Sequence, residues 1–349
     1  MKNFLQNRIA MIPVFLLIGQ LFLSNAWSAT LVVANKAEAT VSLIDLEDGQ
    51  VVATLATDDG PHEVDVSADG RFALVTNYGS RGQRGDSLTL IDVVNAKVVK
   101  TIDLGEYKAP HGVEWVGDGR AAVTMEDNQA LIVVDVENGE IVQAIGTDQQ
   151  VSHMVALDTD GRRAYTANIG SGSISVLDLV SGERIKNVVT GDGAEGVAVS
   201  SLGHVWVTNR AADTVTVLDG ETYTTLKEIA SPGFPIRATA TPKDQVLVTR
   251  ASAGELVIYD AGTFSEVRTV AFDISSMGAE GRLFGDRFGD SSVPIGVIVD
   301  ETGEHAYVAH ANADVITEVD LSSGEVVRLL RAGREPDGMA YSALSAKRD

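Results

Sequence analysis

The sequence predicts an all-β chain folded as a single seven-bladed β-propeller of four-stranded antiparallel blades, and three observations carry that expectation. A unit of roughly 42 residues recurs seven times along the 349-residue chain. Each unit is a series of short apolar or alternating segments divided by turn residues, the pattern of half-buried antiparallel strands. The first and last units are incomplete in complementary ways, so that together they make one blade.

The copies align from Leu31, Ala73, Ala121, Ala164, Val205, Val246 and Ala306. Each opens on a strand that usually ends in a polar residue, as in VVAN, LVTN, YTAN and WVTN. The next strand ends in aspartate, at Asp45, Asp92, Asp135, Asp178, Asp219, Asp260 and Asp320. An aspartate just before a turn accepts hydrogen bonds from the backbone ahead of it, so all of these are read as turn formers rather than ligands. An outer strand such as VVATLAT follows, and a fourth strand leads through a turn into the next copy. The pairs Asp69-Gly70, Asp118-Gly119 and Asp160-Gly161 suit two-residue hairpins, whose central residues take positive φ. Four strands per unit make a propeller blade. The chain enters on a second strand at 30–35 and leaves on a first strand near 336–342. The C-terminal strand is therefore expected to become the innermost strand of the blade that the N-terminal strands begin, which closes the ring without a free edge.

VTNYG, TANIG and VWVTN, with the turns DLVSGERI and DLSSGEVV, resemble the YVTN-repeat β-propellers, among them YncE-like and lactonase-like seven-bladed proteins. The resemblance spans essentially the whole chain after its first residues and implies a secreted or periplasmic propeller. Its motifs build blades and define no shared catalytic set. Related propellers serve as lactonases, as haem- or copper-binding domains and as non-catalytic subunits, so fold alone does not choose a function.

The N-terminal residues read as a targeting segment. Lys2 and Arg8 precede an apolar run from Ile9 to Leu23, and the small-residue stretch SNAWSA follows. This is the pattern of a signal peptide at 1–28 with cleavage near 26–28, leaving a single domain at 29–349. The apolar run is short of the roughly 20 residues that span a bilayer. The expected location is the periplasm or the exterior. The chain has no cysteine, which excludes disulfides, thiolate metal sites and a covalently attached haem. Its formal charge of -22 becomes -24 without Lys2 and Arg8. Such a surface repels phosphates and anionic lipid, so nucleic acid and, after cleavage, membrane are not expected partners. A small molecule, a metal ion or a periplasmic partner protein is.

Comparing equivalent positions across the repeats isolates a candidate site. The innermost strands begin at His62, His111, His153, Glu195, Ile236, Ile295 and Asp337. In a propeller this strand lines the axial channel and its first residue stands at one mouth. Around the ring the polar members are consecutive: Asp337, His62, His111, His153, Glu195. A second column, at the ends of the second strands, holds Asn35, Asn77, Met125, Asn168, Asn209, Arg250 and His310, and is expected to reach the same mouth. Tyr78, Glu126 and Arg210 lie just beyond it, and Arg237 is expected to point into the neighbouring blade or to graze the channel. His204 and His305 fall at the opposite face and are assigned to solvent. Most inner-strand heads are 41 or 42 residues apart, but two intervals are 49 and 59. The excess lies in Ser80–Ser87 and in a glycine-rich segment, Ser275–Ser292, with Arg282 and Arg287, which reads as a lid over the mouth.

Three functions suit such a mouth, beside plain solvation of polar residues in a water-filled opening. His62, His111 and His153, with Asp337 or Glu195, are candidate ligands to zinc, copper or iron. A metal-free, lactonase-like hydrolase would use a histidine such as His111 as general base, Glu195 to orient or protonate, and Arg250 or a lid arginine at the oxyanion. A binding or accessory module would hold a small ligand, with His310, Arg250, Arg282 and Arg287 suiting a carboxylate or phosphate. The binding module is the preferred reading, with zinc or copper as the candidate metals, and hydrolysis is the alternative.

Overall fold

Seven four-stranded sheets, one per repeat, make up the fold in the computed structural model, which describes residues 28–80, 82–278 and 281–348. The expected signal peptide therefore lies, apart from Ser28, outside the described residues. Numbered along the chain, the inner strands of blades 2 to 7 are Pro61–Val66, Pro110–Gly117, Ser152–Leu157, Ala194–Val199, Pro235–Ala240 and Pro294–Val299. Blade 1 is the shared one: Pro336–Ser342 forms its inner strand and pairs antiparallel with Thr30–Asn35, as the incomplete end repeats imply. Inner strands of successive blades lie against one another all the way round, including blade 7 against blade 1 and blade 1 against blade 2. Among the described residues no helix is long and apolar enough to cross a membrane.

The blades are held by apolar side chains between their faces. Leu74 and Leu90 of blade 2 share a cluster with Val123 and Ile132 of blade 3. Trp206 of blade 5, fully buried, meets Tyr259 of blade 6 with ring centroids 5.7 Å apart. Burial of this kind contributes roughly 25 cal/mol per Å² of apolar surface. The outermost strands alternate exposed and half-buried residues, as a sheet edge facing water should.

The repeated aspartates do what their position implies. Asp219 Oδ1 accepts from the N–H groups of Glu221 and Thr222 at 3.0 and 2.7 Å, and Asp260 and Asp320 repeat the arrangement. The two-residue hairpin holds at Asp118-Gly119, where both residues have positive φ. At Asp69-Gly70 only the glycine does, because the loop is longer and closes through Ser67 and Phe72.

Each inner strand that pairs antiparallel with its second strand shifts register just after its first residues, as between Pro61 and Val64 or between Pro235 and Ala238. Such a bulge re-aims side chains at a strand end. The residue after the head then lies against the next blade's backbone. A Cβ on Gly112 would stand 2.8 Å from the His153 carbonyl oxygen, and one on Gly196 would stand 2.6 Å from that of Ile236. Glycine fills this position in blades 1, 3, 5 and 7, whereas blades 2 and 6 place Glu63 and Arg237 there.

Candidate functional site

Three imidazoles from blades 2, 3 and 4 meet at one mouth of the ring. The ring centroids of His62 and His111 are 3.9 Å apart, and those of His111 and His153 are 3.5 Å apart. They line a pocket of ≈ 350 Å³ together with Lys36, Tyr78 and Asp337. The expected convergence of histidines from separate repeats is thus the geometry the fold produces.

The three are held differently. His62 Nε2 lies 2.5 Å from Lys36 Nζ and 3.1 Å from His111 Nε2. A lysine ammonium has donors only, so His62 Nε2 must accept, and its proton sits on Nδ1. That nitrogen faces Asp337 Oδ2 at 3.3 Å and Glu63 Oε1 at 3.4 Å. A histidine whose Nδ1 side is backed by a carboxylate while Nε2 faces an opening is the usual arrangement of a metal ligand. Burial, and next the charge of Lys36, hold His62 well below the ordinary imidazole pKa, with Asp337 offsetting part of this. Burial, and then His153 and His62, do the same to His111, which is completely buried. Both are neutral near pH 7.

His153 is clamped between two carboxylates, with Nδ1 at 2.6 Å from Glu126 Oε1 and Nε2 at 3.3 Å from Glu195 Oε1. Burial pulls its pKa down, but the hydrogen bonds to Glu126 and Glu195 more than reverse this and raise it. Burial likewise pushes Glu195 up, yet His153, Arg210 and Arg237 drive it down to about 2. Glu195 is ionised and His153 favours the cation. Tyr78 Oη donates to Glu126 Oε2 at 2.5 Å and is itself held by Arg84.

Below the imidazoles runs a belt of charge. Arg237 donates to Glu63 across the axis, and its NH1 and NH2 lie 3.6 Å from Glu195 Oε1 and Asp337 Oδ1. Arg237 thus points inward, not into the neighbouring blade, because the bulge turns its side chain towards the axis. It lines both this pocket and a second one of ≈ 370 Å³ at the opposite side, so the belt divides the channel in two. Asp337, 1% exposed, accepts no hydrogen bond at either oxygen among the described residues, and neither His62 Nδ1, though 3.3 Å from Asp337 Oδ2, nor His111 Nδ1 makes one.

The second-strand column does not reach the mouth. Its members point into their own blades and staple strand ends. Asn209 Nδ2 donates to Thr214 and Thr216 at 3.0 and 2.9 Å, and Asn35, Asn77 and Asn168 do likewise. His310 takes the same place, 3.1 Å from Thr317 Oγ1 and 2.8 Å from Ser292 Oγ, and Arg250 binds Ser231 and Tyr259. Neither lines the pocket. One residue further on, the strand has alternated its direction, and Lys36, Tyr78, Glu126, Ile169 and Arg210 do line it. Lys36, Glu63 and Arg84 are site residues the sequence reading missed. His204 and His305 lie away from the mouth but are half-buried, bonded to Ala261 and Asp300.

The two insertions also differ from expectation. Ser80–Ser87 is not a loose loop: Phe72–Ser80 and Gln83–Asp92 continue pairing to Ser80 and Gln83. In the lid, Arg282 is an anchor, bidentate to Asp314 at 2.6 and 2.9 Å and bound to the Ala311 carbonyl. Arg287 packs over Phe234 and Phe288. Leu283 and Phe284 face the pocket instead, beside Ile236 and Ile295.

The fold and the mouth define a closed seven-bladed propeller whose one axial opening converges neutral imidazoles, carboxylates and a lysine. Comparison with known proteins adds partial likenesses: residues 22–121 match the model of the YNCE-like beta-propeller family. Residues 118–246 match the Cytochrome D1 heme domain model. The uncharacterized protein YncE of Salmonella typhi, and that of Salmonella typhimurium, are 27% identical over 146 residues, spanning 40% of this chain and 41% of each relative. A functionally unknown protein from Desulfotomaculum acetoxidans has the same fold, with a TM-score of 0.74 and 14% identity over 92% of this chain and 100% of that one.

Proposed function

We propose that this propeller is an exported binding module that holds a divalent transition metal ion, zinc or copper, at the mouth through His62 and His111. The observation that carries the reading is the 3.1 Å approach of the two Nε2 atoms, with both imidazoles neutral and His62 backed by Asp337 and Glu63. Two ligands about 2.0–2.1 Å from one tetrahedral ion stand at about this separation. Either His111 donates its proton to His62, in competition with Lys36, or a cation lies between two lone pairs. His153 stands beside the pair, and Glu126 and Glu195 on either side of it raise its pKa. Imidazole suits zinc and copper, and positions left open by the protein are available to a ligand in the pocket.

The match to a haem domain covers His153 and Glu195 but leaves out His62 and His111, so no haem ligand is carried over. A second reading, metal-free hydrolysis, is favoured by the contact of His62 with Asp337, which would orient the imidazole as a general base. Arg250 does not line the pocket, and Glu195, ionised and paired, is no proton donor near neutral pH.

Metal analysis of the purified protein after loading and dialysis decides between them. The metal reading expects about one zinc or copper per chain and its loss in His111→Ala. Absence of bound metal, with lactone turnover that falls in His62→Ala, supports hydrolysis and overturns the metal reading.

A further inference from the structure

We propose that the mouth takes its metal ion together with an organic carboxylate bearing an apolar body, and that Lys36 couples the two; this rests on the metal reading above. Lys36 Nζ, at 2.5 Å, lies on the same His62 lone pair that an ion needs. Ion and ammonium cannot share it. Among the described residues Lys36 pairs with the carboxylate of Asp337, 3.5 Å away and buried. A carboxylate entering the pocket offers the ammonium an anionic partner and draws it off His62. The same carboxylate supplies an oxygen donor to an ion that has only two imidazole ligands, short of the four of a common zinc site.

The pocket also exceeds what an ion requires. Its ≈ 350 Å³ falls in the range of small-molecule sites. Opposite the imidazoles its wall is apolar: Ile236 and Ile295 on blades 6 and 7, with Leu283 and Phe284 of the lid. Leu283 is 44% exposed, an apolar side chain facing the opening. One end of the ligand meets charge and the other meets hydrocarbon. Phenylacetate has both features; acetate has only the first.

Metal and carboxylate are then positively linked, each tightening the other by the same factor. The test is zinc affinity by equilibrium dialysis, alone and with saturating phenylacetate or acetate. Phenylacetate is expected to tighten zinc binding by about tenfold or more, with a smaller effect of acetate. Lys36→Met should bind zinc alone more tightly than the native protein and lose most of the phenylacetate effect. Leu283→Asn, at an exposed position, should narrow the advantage of phenylacetate over acetate. Zinc binding that is indifferent to both carboxylates, or a full phenylacetate effect in Lys36→Met, overturns this inference and leaves the metal reading standing. No zinc binding in any mixture overturns the metal reading itself.

Discussion

Arg237 on the inner strand of blade 6 donates to Glu63 on the inner strand of blade 2, 174 residues away in sequence and across the axis of the ring. Arg237 lines the histidine pocket, and Asp337 and Glu195 flank the pair. All four side chains are buried. Removing one partner of such a group leaves uncompensated buried charge, which costs about 3–5 kcal/mol. Arg237→Met is expected to lower unfolding stability by about that amount in a urea titration. Adding Glu63→Gln should restore part of it, and additive losses in the double variant would contradict a direct pair.

The asparagine column is a set of staples with no share in binding. Asn209→Ala leaves the hydroxyls of Thr214 and Thr216 without their common donor. The expected loss is about 1–3 kcal/mol of stability, with metal affinity unchanged. A variant that keeps its stability but binds metal differently would return this column to the mouth.

Protonation at the mouth has two opposite signs. His62 and His111 have folded pKa values below the ordinary 6.5, so their neutral forms favour the fold. That contribution is present above the unfolded pKa and is lost as pH falls below about 6.5. His153 has a raised folded pKa, so its contribution is complete below the unfolded pKa and is lost as pH rises through the folded one. Stability measured against pH in His153→Gln should lack the decline on the alkaline side. An unchanged profile would mean that Glu126 and Glu195 do not hold the imidazolium.

The lid is fixed by Arg282, whose guanidinium grips Asp314 and the Ala311 carbonyl. Arg282→Ala should raise hydrogen exchange in the segment around Leu283 and Phe284 and leave the blades protected. Equal protection in the variant would place the anchor elsewhere, for instance in the Leu283 N–H bond to Glu335.

The architecture was legible because its signals are repeated: the strand periods, the terminal aspartates and the complementary ends each recur or close on themselves. The head column was legible too, since His62, His111 and His153 occupy one repeat position and the ring superposes them. What escaped the reading turns on single-residue steps. A strand alternates its side chains, so Asn35 points into its blade and Lys36 into the mouth. Arg250 and His310 share the asparagine position and share its direction. The bulge at the inner-strand heads decided between the two directions open to Arg237, and the contrast of glycine in four blades with Glu63 and Arg237 in two others was the signal available for it.

The central claim, that His62 and His111 present their Nε2 atoms to one ion, is tested most directly by nitrogen-15 NMR of the imidazoles during zinc addition. The account predicts a neutral, Nδ1-protonated His62 before addition and stoichiometric shifts of the Nε2 signals of His62 and His111. His153 should stay doubly protonated and His310 unmoved. Shifts confined to His204 and His305, or no shift at all beyond one equivalent of zinc, would contradict it.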